Sequence, residues 1–239
     1  MNDFDWSTAA PAARAYRAAL PPGELHVFPI DALDVAGIPT WKAVFFADDA
    51  ARSIHHGHSY GATSAQALVG ALGELAESVH AATLSEMPRR VASYRELTDA
   101  YGADFVVHPW RLGMPAGSDV DGETERAWVA ARRYPDGAEV FVPLDVVAVT
   151  RADLGDYTPF ATPITNGLGA GPTRDFALAH GIQELLQRDG NGVRFRALDA
   201  GIALDLNGLD DPVVGDLLDR FARAGIEPIV KFADDEFGI

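Results

Sequence analysis

Two stretches of this chain place carboxylates where they could hold a metal-bound anion. Residues Thr165–Asp189 read TNGLGAGPTRDFALAHGIQELLQRD. A loop with Gly167, Gly169 and Gly171 leads through Pro172-Thr173 into a helical pattern. Residues three and four apart are neighbours on a helix, so Glu184, Gln187 and Arg188 share one face. Earlier, Gly61-Ala62-Thr63 leads into a second helical pattern that gathers Glu74, Glu77 and Ser78 in the same way. Gly61, Thr63, Ala67, Leu68, Glu74 and Leu75 recur, at one constant offset, as Gly171, Thr173, Ala177, Leu178, Glu184 and Leu185. Magnesium takes oxygen ligands, usually one or two carboxylates with waters and phosphate oxygens. Glu74, Glu77 and Glu184 offer carboxylates, and Gln187 a neutral amide oxygen. Arg188 can meet a phosphate with a two-pronged fork. Glycine loops at helix N-termini can aim backbone N–H groups at an anion. Ala67, Gly70 and Ala71 beside the first pair are small, which is expected to leave room for a ligand.

The elements needed to position these residues can be read from the pattern. Residues 7–20 form a short Ala-rich helix, stopped by Pro21-Pro22-Gly23. Glu24–Ile30 and Thr40–Phe46 read as strands. A polar loop over 47–62 carries His55, His56 and His58. The first motif helix covers about 64–84, capped by Thr63 or Ser64, with Leu68, Leu72, Leu75 and Val79 as its core stripe. In the second helix Leu178, Ile182 and Leu185 form the apolar side, and Pro172 suits its first positions. Tyr94–Tyr101 is a short helix. Phe105–Trp110, Arg126–Tyr134 and Glu139–Thr150 are strands. Ile202–Leu206, a helix over 212–224 and Ile229–Phe232 follow. Trp41, Phe45, Phe46, Trp110 and Trp128 are expected in the core. The mixture predicts an α/β (mixed α+β) fold, two loop–helix units flanking a mixed sheet.

Composition narrows the classes. The chain has 239 residues and no cysteine, which excludes disulfides, thiolate metal sites and a cysteine nucleophile. A net charge of −16 argues against a nucleic-acid surface, which needs clustered Lys and Arg. No apolar run reaches the ~20 residues of a membrane span, and no secretory signal opens the chain, so a cytoplasmic location is expected. There is no GxxxxGK[ST] phosphate loop and no GxSxG elbow. The Gly167-x-Gly169-x-Gly171 run lacks the strand and spacing of a dinucleotide fingerprint. Histidines as close as His55, His56 and His58 rarely share one zinc.

At these motifs the chain resembles the YcaO family. The relevant stretches are Ser59-Tyr60-Gly61, then Ala67-x-x-Gly70-Ala71-x-x-Glu74-x-x-Glu77-Ser78, and Thr165-Asn166-Gly167-Leu168-Gly169-Ala170-Gly171-Pro172-Thr173, then Glu184-Leu185-Leu186-Gln187-Arg188-Asp189. Leu33-Asp34-x-x-Gly37-Ile38-Pro39 resembles the family's leading segment. The resemblance covers about Leu25 onward and implies residues 1–24 as an N-terminal helical extension and 25–239 as a YcaO-like ATP-binding domain that is expected to lack its C-terminal part. It implies an ATP- and Mg2+-dependent enzyme that activates a peptide backbone amide. A nucleophile adds to the carbonyl, the oxygen is phosphorylated, and loss of phosphate gives an azoline, thioamide or amidine in a ribosomally made peptide. It implies Glu74, Glu77, Glu184 and Gln187 as metal ligands, and Ser59, Tyr60, Gly61, Asn166, Gly167 and Arg188 as nucleotide contacts. It names no catalytic residue. A peptide or protein substrate, a TfuA-like or E1-like partner and a homodimer are compatible with it. Tyr60, Ser78 and Gln187 stand where the family's motifs carry Lys, Arg and Glu. Two other readings stay open: a YcaO-like scaffold that binds a leader peptide, and an unrelated ATP-dependent ligase.

Overall fold

The computed structural model describes residues 4–48, 54–82, 87–112, 114, 117–149, 151–154, 158–196 and 202–232. In chain order the elements are α1 (Pro11–Ala19), β1 (Gly23–Pro29), β2 (Thr40–Ala47), β3 (Ile54–Tyr60), α2 (Ser64–Ala81), β4 (Arg89–Ala92), α3 (Tyr94–Tyr101), β5 (Arg126–Arg132), β6 (Glu139–Pro143), α4 (Arg151–Leu154), α5 (Arg174–Arg196), β7 (Ile202–Ala203), α6 (Pro212–Arg223) and β8 (Lys231–Phe232). The fold is mixed α/β, as expected. The chain divides into two compact units, Met1–His80 with Asn166–Ile239, and Ala81–Thr165.

In the first unit β1, β2 and β3 form an antiparallel sheet in that order. Strand side chains alternate between faces. Trp41, Ala43 and Phe45 therefore point one way along β2 and are buried against α2. There they meet Leu68, Leu72, Leu75 and Val79, the stripe read from the sequence, all buried. Burying side chains of this size stabilises by roughly 1.5–3 kcal/mol each. Ala9 and Ala13 of the N-terminal segment complete this core.

One expectation fails in the same sheet. Residues 54–60 are strand β3, not a polar loop: Thr40 to Phe46 pair with Tyr60 to Ile54. Polarity concealed the strand, because only Gly57 of β3 is buried. Alternation sets His55 on the opposite face from His56 and His58, which separates them as ligands for one ion. The rest of this unit holds α5, α6 and the β7–β8 pair. Helix α6 starts as expected at Pro212, with Asp211 accepting hydrogen bonds from Val213 N (2.8 Å) and Val214 N (3.0 Å).

The second unit is built on an antiparallel sheet ordered β4-β5-β6. Trp128 and Val129 of β5, Leu97 of α3 and Leu144 are its buried centre. Arg126 and Asp145 form a buried ion pair at 2.8 Å. Helix α3 matches its expected span, held by a Ser93–Glu96 capping box. Phe105–Trp110 is not a strand. It comprises 3-10 turns at Ala103–Phe105 and Pro109–Arg111, joined to β6 by a single bridge, Val106 to Phe141. Pro109, without an N–H to donate, interrupts any ladder there. Strand β6 ends at Pro143, short of the expected Thr150, and a 3-10 turn follows over Leu144–Val146. Of the five aromatics expected in the core, Trp41, Phe45 and Trp128 are buried. Phe46 lies on the outer face of β2, and Trp110 sits in a turn, 60% exposed.

Candidate functional site

The two loop–helix units repeat in three dimensions. Helix α2 is capped by Thr63: its hydroxyl accepts from Gln66 N (3.3 Å), and Gln66 Oε1 accepts from Thr63 N (3.1 Å). This reciprocal pairing satisfies two N–H groups. Ser64, the other candidate cap, instead accepts from Trp41 Nε1 at 2.8 Å. Helix α5 is capped by Thr173, whose hydroxyl accepts from Phe176 N at 3.2 Å. Thr173 occupies the N-cap, so Pro172 lies just before the helix rather than in its first turn. Before each helix a glycine packs on the first turn: a Cβ on Gly61 would lie 2.8 Å from Gln66 Cβ, and one on Gly171 would lie 2.3 Å from the Phe176 ring.

The small residues on each helix serve the chain itself. A Cβ on Gly57 of β3 would stand 2.2 Å from Ala71 O and 2.9 Å from Glu74 Cβ. A Cβ on Gly70 would collide with Ser59 Oγ at 2.3 Å. Strand β3 thus lies on the Ala71–Gly70 surface, which the sequence reading left open for a ligand. The second unit matches: a Cβ on Gly169 would stand 2.1 Å from Ala177 O, and one on Gly181 would stand 2.5 Å from Gly167 O. The glycine loop therefore lies directly along α5.

This close approach brings the carboxylates and the loop together. Gly167 N donates to Glu184 Oε2 at 2.9 Å. Ala170 N donates to Glu77 Oε1 at 2.7 Å. Arg188 Nη2 meets Glu184 Oε1 at 3.2 Å, the i,i+4 pair expected on α5. His180 Nε2 is 3.9 Å from Glu77 Oε1. The Glu77 side chain is only 13% exposed. Burial, first, and the negative charge of Glu74, second, push its carboxyl above the ordinary value of 4.5; Glu184 adds to this, while the Ala170 N–H and His180 oppose it. The three glutamates therefore share one electrostatic neighbourhood.

The other expected residues are distributed as follows. Asn166, Gln187 and Arg188 are exposed near Gly167 and Glu184 in sequence. Ser59 turns toward Gly70, while Tyr60 is 77% exposed on the opposite face of β3. Ser78 hydroxyl is 3.0 Å from His55 Nδ1. On the apolar side of α5, Ile182 and Leu185 are 39% and 50% exposed, unlike the stripe of α2. Ala170 and Gly57 lie at the carboxylates without a sequence signal for it. Ala170 acts through its backbone N–H, for which its side chain gives no signal.

The donors are all oxygen, which suits Mg2+. Crowded negative charge, felt in the raised Glu77 carboxyl, is what a cation relieves. Among the described residues no three His, Asp or Glu side chains converge tightly enough to grip an ion as they stand. Mg2+ does not require such a cage, because it commonly keeps waters and phosphate oxygens in its shell.

The family described as YcaO cyclodehydratase, ATP- and Mg2+-binding, matches residues 58–239. An uncharacterised protein of Methanothermobacter thermautotrophicus is 29% identical over 215 residues, covering 86% of this chain and 51% of that protein. The chain thus spans about half the length of that relative. Two solved structures are similar in fold. One is a heterocyclase in complex with substrate and cofactor, with a TM-score of 0.66 at 20% identity, covering 88% of this chain and 32% of that one. The other is YcaO from Methanopyrus kandleri bound with AMPPCP and Mg2+, with a TM-score of 0.53 at 20% identity, covering 82% of this chain and 46% of that one. With two glutamate helices repeated around a glycine loop and a family match over most of its length, the chain belongs to the YcaO family.

Proposed function

We propose that this chain forms the Mg-ATP-binding part of an enzyme that activates a peptide backbone amide by O-phosphorylation. The observation that supports this best is the engagement of one glycine loop by two glutamates, Glu77 and Glu184, from equivalent helices. Carboxylates suited to a metal and backbone N–H groups suited to phosphate lie at the same place. Glu74, Glu77 and Glu184, with Gln187, would hold Mg2+. Gly167, Asn166 and Arg188 would meet the nucleotide, and Ser59 to Gly61 would border it. ATP supplies the phosphoryl group that turns an amide oxygen into a good leaving group. The chain's own contribution is to position phosphates and offset their charge, the main sources of catalysis in phosphoryl transfer. The substrate would be a ribosomally made peptide, and the product an azoline, thioamide or amidine.

The test is calorimetry with a non-hydrolysable ATP analogue and Mg2+. Wild-type protein binds the pair, and Glu184→Ala abolishes magnesium-dependent binding. Unchanged affinity in that variant sinks the ligand assignment. Mass spectrometry of a candidate peptide after incubation with ATP then reads the chemistry, since loss of water and gain of sulfur shift mass differently. A scaffold that binds a leader peptide without turnover is the second reading. It draws on Tyr60, which faces solvent where the family motif carries lysine. Peptide binding with no peptide-stimulated ATP hydrolysis would favour it.

A further inference from the structure

The open edge of strand β1 meets a cavity that the two glutamate helices do not line. β1 is the outer strand of the β1-β2-β3 sheet, so β2 satisfies its backbone groups on one side only. Ile30 N donates to Thr40 O at 2.8 Å, and Asp48 N donates to Pro22 O at 3.3 Å. In an antiparallel pair such bonded positions alternate. The even-numbered residues of β1 therefore bond to β2, and Gly23, Leu25 and Val27 turn their N–H and C=O outward. Among the described residues none takes these groups up. Exposed edges are commonly blunted by a lysine, a proline or a bulge. The centre of this one, Leu25-His26-Val27, has no lysine or proline, and its register runs without a bulge from Gly23 to Pro29.

A cavity of about 1300 Å³ lies at that edge. All of residues 24–29 line it, and their side chains alternate between the two faces, so it follows the edge rather than one face. Small-molecule clefts are roughly 300–1,000 Å³, so the space suits a chain segment better. Its wall on the core side is aromatic: Phe4 stands edge-on to Trp6 and to Trp41, with ring centroids 4.9 and 5.4 Å away. The charged groups around it already have partners within the chain. Asp5 accepts from Ser7 N (3.0 Å) and Oγ (2.7 Å), and Glu24 meets His26 Nε2 at 2.9 Å. The Arg17 guanidinium lies 4.6 Å from the centre of the Trp6 ring. The complementary occupant is thus a polypeptide backbone that carries uncharged side chains.

We infer that β1 is a docking strand for the peptide substrate. An extended segment joins the sheet beside Leu25 and Val27 and sets apolar side chains, at alternate positions, against Phe4, Trp6 and Trp41. In this mode main-chain bonds give affinity, and pockets for alternate side chains give specificity. None of Glu74, Glu77 and Glu184 lines the cavity, so this contact is additional to those at the phosphates. That the occupant is the substrate rests on the amide-activating reading above; the open edge and the cavity do not.

The experiment follows amide hydrogen exchange in the full chain, without nucleotide, as a capped, soluble peptide with two valines at alternate positions is added. The same peptide with an N-methylated backbone is the control, because it keeps the side chains and loses the donors. The expected result is slower exchange at Leu25 and Val27 with the first peptide, and an affinity about tenfold lower with the second. No protection of these two amides, or equal affinity for the two peptides, overturns the docking strand. Protection that is present without peptide and lost on dilution assigns the edge to a second copy of the chain, and overturns it as well. A chain that protects both amides but binds no Mg2+ with an ATP analogue keeps the docking strand and loses the reading of its occupant as a substrate, so the two failures are distinguishable.

Discussion

At the scale of single residues, Glu77 meets the glycine loop, His180 and the charge of two other glutamates. Its carboxyl is raised by burial and by Glu74. A raised carboxyl contributes stability fully below its ordinary value of 4.5 and loses it as pH rises through its folded value. Ionising Glu77 is therefore a cost in the cation-free protein. Metal binding has the opposite dependence, because the ligand must be ionised. Mn2+ affinity should accordingly begin to fall, as pH is lowered, above the usual glutamate range, and Glu77→Gln should remove that part of the profile. A titration of affinity against pH in both proteins checks this. Glu74, Glu77, Glu184 and Arg188 were legible from spacing alone, since helical neighbours follow from i,i+3 and i,i+4. The close approach of Gly57 to α2 was not. It depends on how β3 docks, and no local pattern encodes that.

At the scale of elements, the repeat extends beyond the glutamates to caps and packing. Thr63 and Thr173 close their helices by the same bond, and glycines let a preceding segment lie on each helix. Thr173→Ala should cost about 1 kcal/mol, the usual value of an N-cap, read as a lower denaturation midpoint. Gly169→Ala should cost more, roughly 1–3 kcal/mol, because its Cβ would meet the carbonyl of Ala177 rather than a movable side chain. Urea denaturation distinguishes the two, and Gly169→Ala should also weaken ATP-analogue binding by displacing the loop. Helix positions were read well because apolar periodicity is strong in α2. Strand β3 has the polar, histidine-rich composition of a loop; what makes it a strand is the ladder to β2, a non-local cause.

At the scale of the whole molecule, residues 81–165 form a unit with a separate core, set in sequence between the two loop–helix units. Its buried Arg126–Asp145 pair is braced by Phe160 N, which donates to Asp145 Oδ1 at 2.8 Å, and the guanidinium lies over the Phe160 ring. Removing Arg126 takes a buried counter-charge away from Asp145, so Arg126→Met should destabilise this unit by about 3–5 kcal/mol, seen by hydrogen exchange in β5 and β6. The mixed α/β class was evident from alternating strand and helix patterns. The division into units was not, because α2 and α5 are brought together by contacts between distant parts of the chain, such as Ala170 with Glu77.

Those loop contacts carry a thermodynamic consequence. The N–H groups of Gly167 and Ala170 have two claimants, the chain's own glutamates and any phosphate that reaches the loop. The same glutamates have two claimants as well, the loop and a cation. A cation that draws the glutamates away frees the loop for phosphate, and a phosphate on the loop frees the glutamates for a cation. With Mg2+ on the glutamates and phosphate on the loop, as proposed, each ligand would clear the other's seat, and the two affinities would rise by the same factor.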